Sequence, residues 1–197
     1  LALSEKETAE CMARVPIFEE RIRARLVKKG GLGYQPPSPA SFPPVEDFLA
    51  WVRSCDAIPT MTWLDGASKG EGHPLALLKC VRSKGAAAVN VIPDRNWNYQ
   101  DPAVKALKIS KLQQFVATAE ALDLPINVGT EMNKDGLPVI DDLNGPALKP
   151  YRQVFLKGAR VFAGHSLLAR FAGFPFCGAA SDKEFADDRS ARVRFFA

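Results

Sequence analysis

The ten residues 57–66, AIPTMTWLDG, decide the predicted fold, because an apolar segment ends there in an acidic turn. The same pattern recurs three more times along the chain. We predict strands at Ala57–Trp63, Ala86–Ile92, Pro125–Thr130 and Ala159–Gly164, followed by the polar groups Asp65-Gly66, Asp94-Arg95-Asn96, Glu131-Met132-Asn133 and His165-Ser166. The carboxyl ends of parallel strands meet on one face, and that face carries function. The four polar groups therefore predict one shared site.

Helical stretches separate these segments, at residues 74–84, 102–122 and 146–157, and each begins with a proline. In the longest of them, apolar residues recur at helical spacing and are expected to be buried: Val104, Leu107, Leu112, Phe115, Val116 and Ala119. Strand starts roughly 30–40 residues apart are typical of βαβ units. The pattern favours an α/β fold, a (β/α) barrel or barrel-like fragment with parallel strands. An open sheet is the alternative, because a full barrel needs about 250 residues and the chain has 197.

Residues 1–56 form a helical and proline-rich N-terminal segment in this prediction, and residues 57–197 form the βα-repeat domain, together one structural domain. Ser4 and Glu7 have the spacing of a capping box, and Pro16 is expected to kink or split the helix that follows. Five prolines between residues 33 and 44 exclude a helix or central strand there. A short helix is predicted over residues 45–54.

Composition limits the function classes. A hydrophobic fraction of 47%, a charged fraction of 24% and a net charge of +4 are ordinary for a globular protein. The sequence has no concentrated basic patch of the kind that binds nucleic acid, and no apolar run long enough to span a membrane. The four cysteines form no CxxC pair, which favours a reduced, cytoplasmic protein. Cys80 is predicted to be a small core residue. We expect a small-molecule substrate; a homo-oligomer is compatible with the sequence.

Two strand-end residues are the best candidates for metal ligands. Glu131 follows an apolar strand beside Gly129, and His165 follows the fourth predicted strand. With Asp65 and Asp94 they provide three carboxylates and one imidazole, an oxygen-rich set that suits Mg²⁺ or Mn²⁺. Asp94 or Asp65 is then a further ligand or the general base. The alternatives are a capping acid at Glu131, a turn at Asp65-Gly66 and a core histidine.

The segment from Asp94 to Tyr99 is dense in polar and aromatic residues. Arg95 is able to clamp a phosphate or carboxylate with two hydrogen bonds, so we predict it as a catalytic and substrate-binding residue. Asn96, Trp97 and Asn133 are predicted to bind the substrate as well. The alternative is an aspartate–arginine ion pair under a packed tryptophan. Upstream, Glu71 and His73 are expected in the cap region of the helix that begins at Pro74.

Residues 59–165 resemble the carboxyl-terminal part of the PHP-type and amidohydrolase-like metal-dependent barrel hydrolases. The motifs are Gly129-Thr130-Glu131-Met132-Asn133, Gly164-His165 and Ala180-Ser181-Asp182. The resemblance implies Glu131 and His165 as metal ligands, with Asp182 as a third. The His-x-His pair of those families is absent, so the metal-binding amino-terminal half either lies outside this sequence or has been lost.

Three functions follow from these observations. The leading hypothesis is a hydrolase that uses Mg²⁺, Mn²⁺ or Zn²⁺ to cleave a small anionic substrate such as a phosphoester. The second is a sugar isomerase or glycosidase, with Trp63 and Trp97 beside strand-end acids. The third is a barrel that binds a ligand without catalysis.

Overall fold

The structure is a computed structural model that describes residues 3–132 and 137–197. The chain divides into two compact units, Leu1–Pro44 and Val45–Ala197. The first unit contains helices α1 (Glu5–Ala13) and α2 (Val15–Leu26). Ser4 and Glu7 form the predicted capping box, and the helix breaks at Arg14, so both predictions for this segment are confirmed. Residues 33–44 form neither helix nor strand.

The second unit holds a three-stranded parallel sheet in the order β1-β2-β3. Residue Asn90 of β2 is in register with Thr62 of β1 and with Asn127 of β3. The elements, in chain order, are α3 (Val45–Ser54), β1 (Thr60–Trp63), α4 (Pro74–Ser83), β2 (Ala88–Val91), α5 (Asp94–Trp97), α6 (Pro102–Ala121), β3 (Ile126–Val128), a 3₁₀ turn (Lys149–Tyr151), α7 (Arg152–Ala172), α8 (Ala179–Phe185) and α9 (Arg189–Phe196).

The prediction of a (β/α) barrel is wrong. The described residues form one open sheet of three short parallel strands, surrounded by helices. The fourth predicted strand, Ala159–Gly164, lies inside α7, which runs without interruption for 21 residues. The predicted helix over residues 146–157 therefore begins later, at Arg152, and continues past Gly158 to Ala172.

Two glycines explain the error, because they allow α7 to approach its neighbours closely. A Cβ atom at Gly158 would overlap the main-chain oxygen of Ile126 in β3, and one at Gly164 would overlap the main-chain oxygen of Phe196 in α9. Glycine in a helix interior costs about 1 kcal/mol relative to alanine, so close packing is its usual reason. Here the glycines serve as contact points, while the helix ends at Gly173, whose φ is 62°.

The main hydrophobic core lies between the sheet and helices α4 and α6. The Trp63 ring stacks on Phe115 of α6 with the centroids 4.5 Å apart. Leu78 of α4 and Val89 and Val91 of β2 are fully buried in the same cluster. A second cluster joins α7 to α9 through Val161, Phe176, Cys177, Val193 and Phe196, with Ala87 just before β2. Among the described helices none has the length and apolar character that crossing a membrane requires.

Candidate functional site

The loops that follow the three strands meet at the carboxyl edge of the sheet, as the sequence predicted. Glu71 organises the loop after β1, because its carboxylate accepts hydrogen bonds from the main-chain N–H groups of Leu64 (2.9 Å) and Gly66 (3.2 Å). The Trp63 indole donates to the Glu71 carbonyl at 3.4 Å. Glu71 is therefore a loop-holding residue rather than a cap of the following helix. Trp63 lies in the core, which removes it as a platform for a sugar.

Asp65 is held at this edge by Lys108 of α6. The two side chains form an ion pair of 2.7 Å, and both are largely buried, with 20% and 12% of their side-chain surfaces exposed. Burial opposes ionisation of Asp65, but Lys108, the Ala67 main-chain amide and Arg95 outweigh it, so the pKa of Asp65 lies below its ordinary value. Asp65 is thus an ionised, paired carboxylate, and its role as general base stays a prediction.

Arg95 and Glu131 come together as an ion pair. The Arg95 Nε donates to Glu131 Oε2 at 2.6 Å, and Nη2 contacts the same oxygen. This arrangement joins α5 to the loop after β3. Glu131 thus occupies the Nε–Nη2 edge of the guanidinium, the edge that would form two hydrogen bonds to an anion, and only Nη1 is left without a hydrogen-bond partner in the described part of the chain. The structure therefore places Glu131 as the partner of a cation.

The short helix α5 presents two buried polar residues. Asp94 is 7% exposed and Asn96 is fully buried. The Asn96 amide donates to the carbonyls of Leu64 (3.0 Å) and Ile92 (3.4 Å), which ties the loop after β1 to the end of β2. Its Oδ1 is buried without a hydrogen-bond partner. Asn96 therefore supports the site from within and keeps one unused acceptor there.

Asp141 is a candidate site residue that the sequence did not predict. It is 5% exposed and its Oδ1 accepts a hydrogen bond from the Trp97 indole at 2.7 Å, while its Oδ2 is buried without a partner. Burial raises the pKa of Asp141, and the neighbouring Asp94 raises it further, against the opposing effect of the indole. The sequence pattern did not predict a site residue here, because Asp141 and Asp142 lie in a loop without apolar periodicity.

A row of lysines on α6 was also missed. Lys105, Lys108 and Lys111 recur every three residues and are all partly buried, whereas Val104 and Leu107, which the sequence analysis expected in the core, are 37% and 56% exposed. Lys105 lies over the Trp97 ring at 5.9 Å. The inward face of α6 is therefore basic beside the carboxyl edge and apolar beside the strands, where Leu112, Phe115, Val116 and Ala119 are buried as expected.

Two asparagines of the sheet add polar groups to the same region. Asn127 donates from Nδ2 to Asn90 Oδ1 at 2.8 Å across neighbouring strands. A Cβ atom at Gly129 would lie only 3.0 Å from the Asn90 side-chain amide, so the absence of a side chain at this position makes room for the amide. Asparagine is depleted in strands, and its presence in both β2 and β3 was a detectable sign of a polar site.

His165 does not join this site, and the prediction that it follows a strand is wrong. It lies in α7, where its Nδ1 accepts a hydrogen bond from the Phe176 main-chain N–H at 3.0 Å. The main chain of Asp56, which precedes β1, lies beside the imidazole, while burial lowers the pKa of His165. Glu131 follows the carboxyl end of β3, so the two proposed metal ligands contact opposite ends of the sheet.

The donor set for a metal ion does not fit the described residues. Within residues 3–132 and 137–197, no three or more His, Cys, Asp or Glu side chains are grouped so as to hold a metal. Asp182, the third ligand implied by the resemblance, instead pairs with Arg53 (2.7 Å) and Arg192 (2.9 Å). Asn133 lies outside the described residues. We therefore derive no chemistry through a metal.

Comparison with known proteins gives no family for this chain. No family model, no curated protein and no solved structure matches it. The resemblance to the PHP-type hydrolases rests on the sequence motifs alone, and the function rests on the geometry of the carboxyl edge.

Proposed function

We propose that the carboxyl edge of the sheet is the active site of a hydrolase for a small anionic substrate, a phosphoester above all. The single observation that carries the proposal is the buried acid pair Asp94 and Asp141. Burial raises the pKa of Asp141, and the neighbouring Asp94 adds to the shift; a carboxyl group that keeps its proton beside a second carboxyl group is the usual basis for a division into acid and base. A structural acid would be expected to have all its oxygens satisfied, whereas Asp141 Oδ2 is buried and without a partner.

The charges around this pair support an anionic substrate. Lys108 is neutralised by Asp65 and Arg95 by Glu131. Lys105 and Lys111 take part in no ion pair within residues 3–132 and 137–197, so two lysines beside the acid pair are proposed to attract a negatively charged substrate. Glycosides carry no charge and gain nothing from these lysines. The Trp97 ring, with Lys105 above it, is poorly placed as a sugar platform.

The chemistry assigned to the pair is general acid and base catalysis. Asp94 accepts a proton from a water molecule, whose oxygen attacks the scissile phosphorus. Asp141, protonated, donates its proton to the departing oxygen as the ester bond breaks. Arg95, through its remaining N–H groups, and Lys105 hold the non-bridging oxygens. Each of the two proton transfers typically contributes about 10²–10⁴ in rate.

The test is hydrolysis of p-nitrophenyl phosphate, p-nitrophenyl acetate and p-nitrophenyl β-glucoside by the wild-type chain and by Asp94→Asn. Cleavage of the phosphate ester, with a loss of about 10²-fold or more in Asp94→Asn, is the expected result. Asp142→Asn is the matched control, since the same chemical change there preserves the acceptor for the Asn144 main-chain N–H. Cleavage of only the acetate or the glucoside would overturn the proposal, as would equal activity of the two variants.

The cellular compartment is part of the proposal as well. Cys11, Cys55, Cys80 and Cys177 are all free thiols, although two of them are exposed. Free cysteines of this kind persist in reducing compartments, which supports the cytoplasm.

A further inference from the structure

The amino edge of the sheet carries a second group of cationic side chains, far from the acid pair. Arg82 of α4 donates to the Leu122 carbonyl at 3.4 Å, just before β3. Arg189 of α9 donates to the Ala87 carbonyl at 3.1 Å, just before β2. Both carbonyls belong to segments that lead into neighbouring strands, so the two guanidinium groups lie at the same edge of the sheet, and Arg82 is near enough to act electrostatically on Arg189.

A third arginine stands one turn along α9. Arg192 is 8% exposed and is fully engaged at its outer nitrogens, by Asp182 at 2.9 Å and by the Ser181 carbonyl at 3.0 Å. Residues three apart on a helix are neighbours, so Arg189 and Arg192 share one face of α9. The Nε atoms of both are buried without a hydrogen-bond partner.

The positive charge at this edge is not balanced. Neither Arg82 nor Arg189 takes part in an ion pair with a carboxylate of the described chain. Asp123 acts on Arg189 electrostatically from beyond ion-pair distance, and Arg82 and Arg192 both repel it. Adjacent, half-buried like charges are destabilising unless an anion lies between them.

We infer that Arg82 and Arg189, backed by Arg192, form a binding site for a small tetrahedral oxyanion, phosphate above all. Guanidinium groups bind phosphate oxygens through paired hydrogen bonds, and Arg82 and Arg189 are both partly open to solvent. The main-chain carbonyls fix each arginine in place, so the cations are held ready for the ligand. The site is independent of the proposed hydrolase, because the arginines lie at the opposite edge of the sheet.

The test is calorimetric titration of the wild-type chain with sodium phosphate, with sodium sulfate as the second tetrahedral anion and sodium acetate at matched ionic strength as the control. We expect both tetrahedral anions to bind more tightly than acetate. Arg189→Met and Arg82→Met should each raise the phosphate dissociation constant by about tenfold or more. Arg194→Met is the matched control on α9, since Arg194 is exposed and its one hydrogen-bond partner among the described residues is Ser190.

Three outcomes would overturn the inference. One is that phosphate produces no more heat than acetate. Another is that Arg82→Met and Arg189→Met both bind phosphate as tightly as the wild type. The third is that Arg194→Met loses as much phosphate affinity as those two variants do. Thermal unfolding without phosphate shows that each variant is folded. Arg95→Met separates the two edges of the sheet: if only this variant loses phosphate binding, the anion belongs to the carboxyl edge and the amino-edge site is refuted.

Discussion

The indole nitrogen of Trp97 donates a 2.7 Å hydrogen bond to Oδ1 of Asp141, while Oδ2 of the same carboxyl group is buried without a partner. One oxygen thus fixes the orientation of Asp141, whereas the other makes no hydrogen bond to any of the described residues. Asp94 lies close enough to act on its ionisation. This relationship connects the loop at residues 139–144 to α5.

Asp141 should make the free energy of unfolding depend on pH, because its pKa is higher in the folded state than in the unfolded state. Its pKa is raised, so above 3.8, the ordinary value, the folded state holds more protons than the unfolded state. Stability therefore falls as the pH rises through the folded pKa. Asp141→Asn preserves the acceptor for the Trp97 indole and should remove the loss of stability with rising pH that Asp141 causes. Chemical denaturation at a series of pH values measures it; an identical slope in Asp141→Asn would contradict the assignment.

Gly158→Ala should be strongly destabilising, by about 3 kcal/mol or more, because the new methyl group overlaps the main chain of β3. Helix propensity alone would favour the substitution by about 1 kcal/mol. Gly70→Ala is the control, since nothing lies within 4 Å of a Cβ there. Thermal unfolding of both variants decides the matter. Equal stability of Gly158→Ala and the wild type would mean that α7 does not contact β3 at this point.

Glu131→Gln should leave the fold nearly as stable as the wild type. The Arg95–Glu131 pair is partly exposed, with side-chain exposures of 37% and 28%, and such pairs contribute about 1 kcal/mol or less. The released guanidinium should bind the anionic substrate at least as tightly, so KM should not rise. Unfolding by urea and steady-state kinetics on p-nitrophenyl phosphate provide the two measurements. A several-fold higher KM would show that Glu131 itself holds the substrate.

The thiols should differ sharply in reactivity. Burial raises the pKa of Cys177 to about 11, although Arg53, Arg192 and Arg189 oppose the shift. Cys55 and Cys80 are exposed, so a disulfide exchange reagent at neutral pH should modify them in the folded state and reach Cys177 only on unfolding. Mass spectrometry of the labelled peptides identifies the sites. Rapid labelling of Cys177 would contradict the packing of the second core.

The sequence predicted much of the sheet, because local patterns dominate there. Three of the four strands and the helix over 102–121 lie where apolar periodicity placed them. The prediction for the fourth segment was wrong because Gly158 resembles the end of a helix and Gly164 the end of a strand, whereas both lie inside α7 and allow it to contact β3 and α9 closely. A contact between distant segments leaves no trace in local periodicity.

The site was predicted in part for the same reason. Strand ends brought Asp65, Asp94, Arg95 and Glu131 to one edge, as parallel topology requires. Asp141 was missed, since a loop residue is placed by tertiary packing. Cys80 was expected in the core and is exposed, because α4 buries only Leu78 completely. The sequence did not predict that the α6 lysines face the site, because apolar periodicity assigned the neighbouring Val104 and Leu107 to the buried face of the helix.

The most direct test of the central claim, that Asp141 donates a proton to the leaving group, compares two phosphate esters. Phenolate leaves with difficulty and needs the proton, whereas p-nitrophenolate leaves readily without it. Asp141→Asn should lower kcat/KM for phenyl phosphate by about 10²–10⁴-fold and for p-nitrophenyl phosphate far less, with Asp142→Asn unchanged on both. Equal losses on the two esters, or none on either, would contradict the assignment of Asp141 as the general acid.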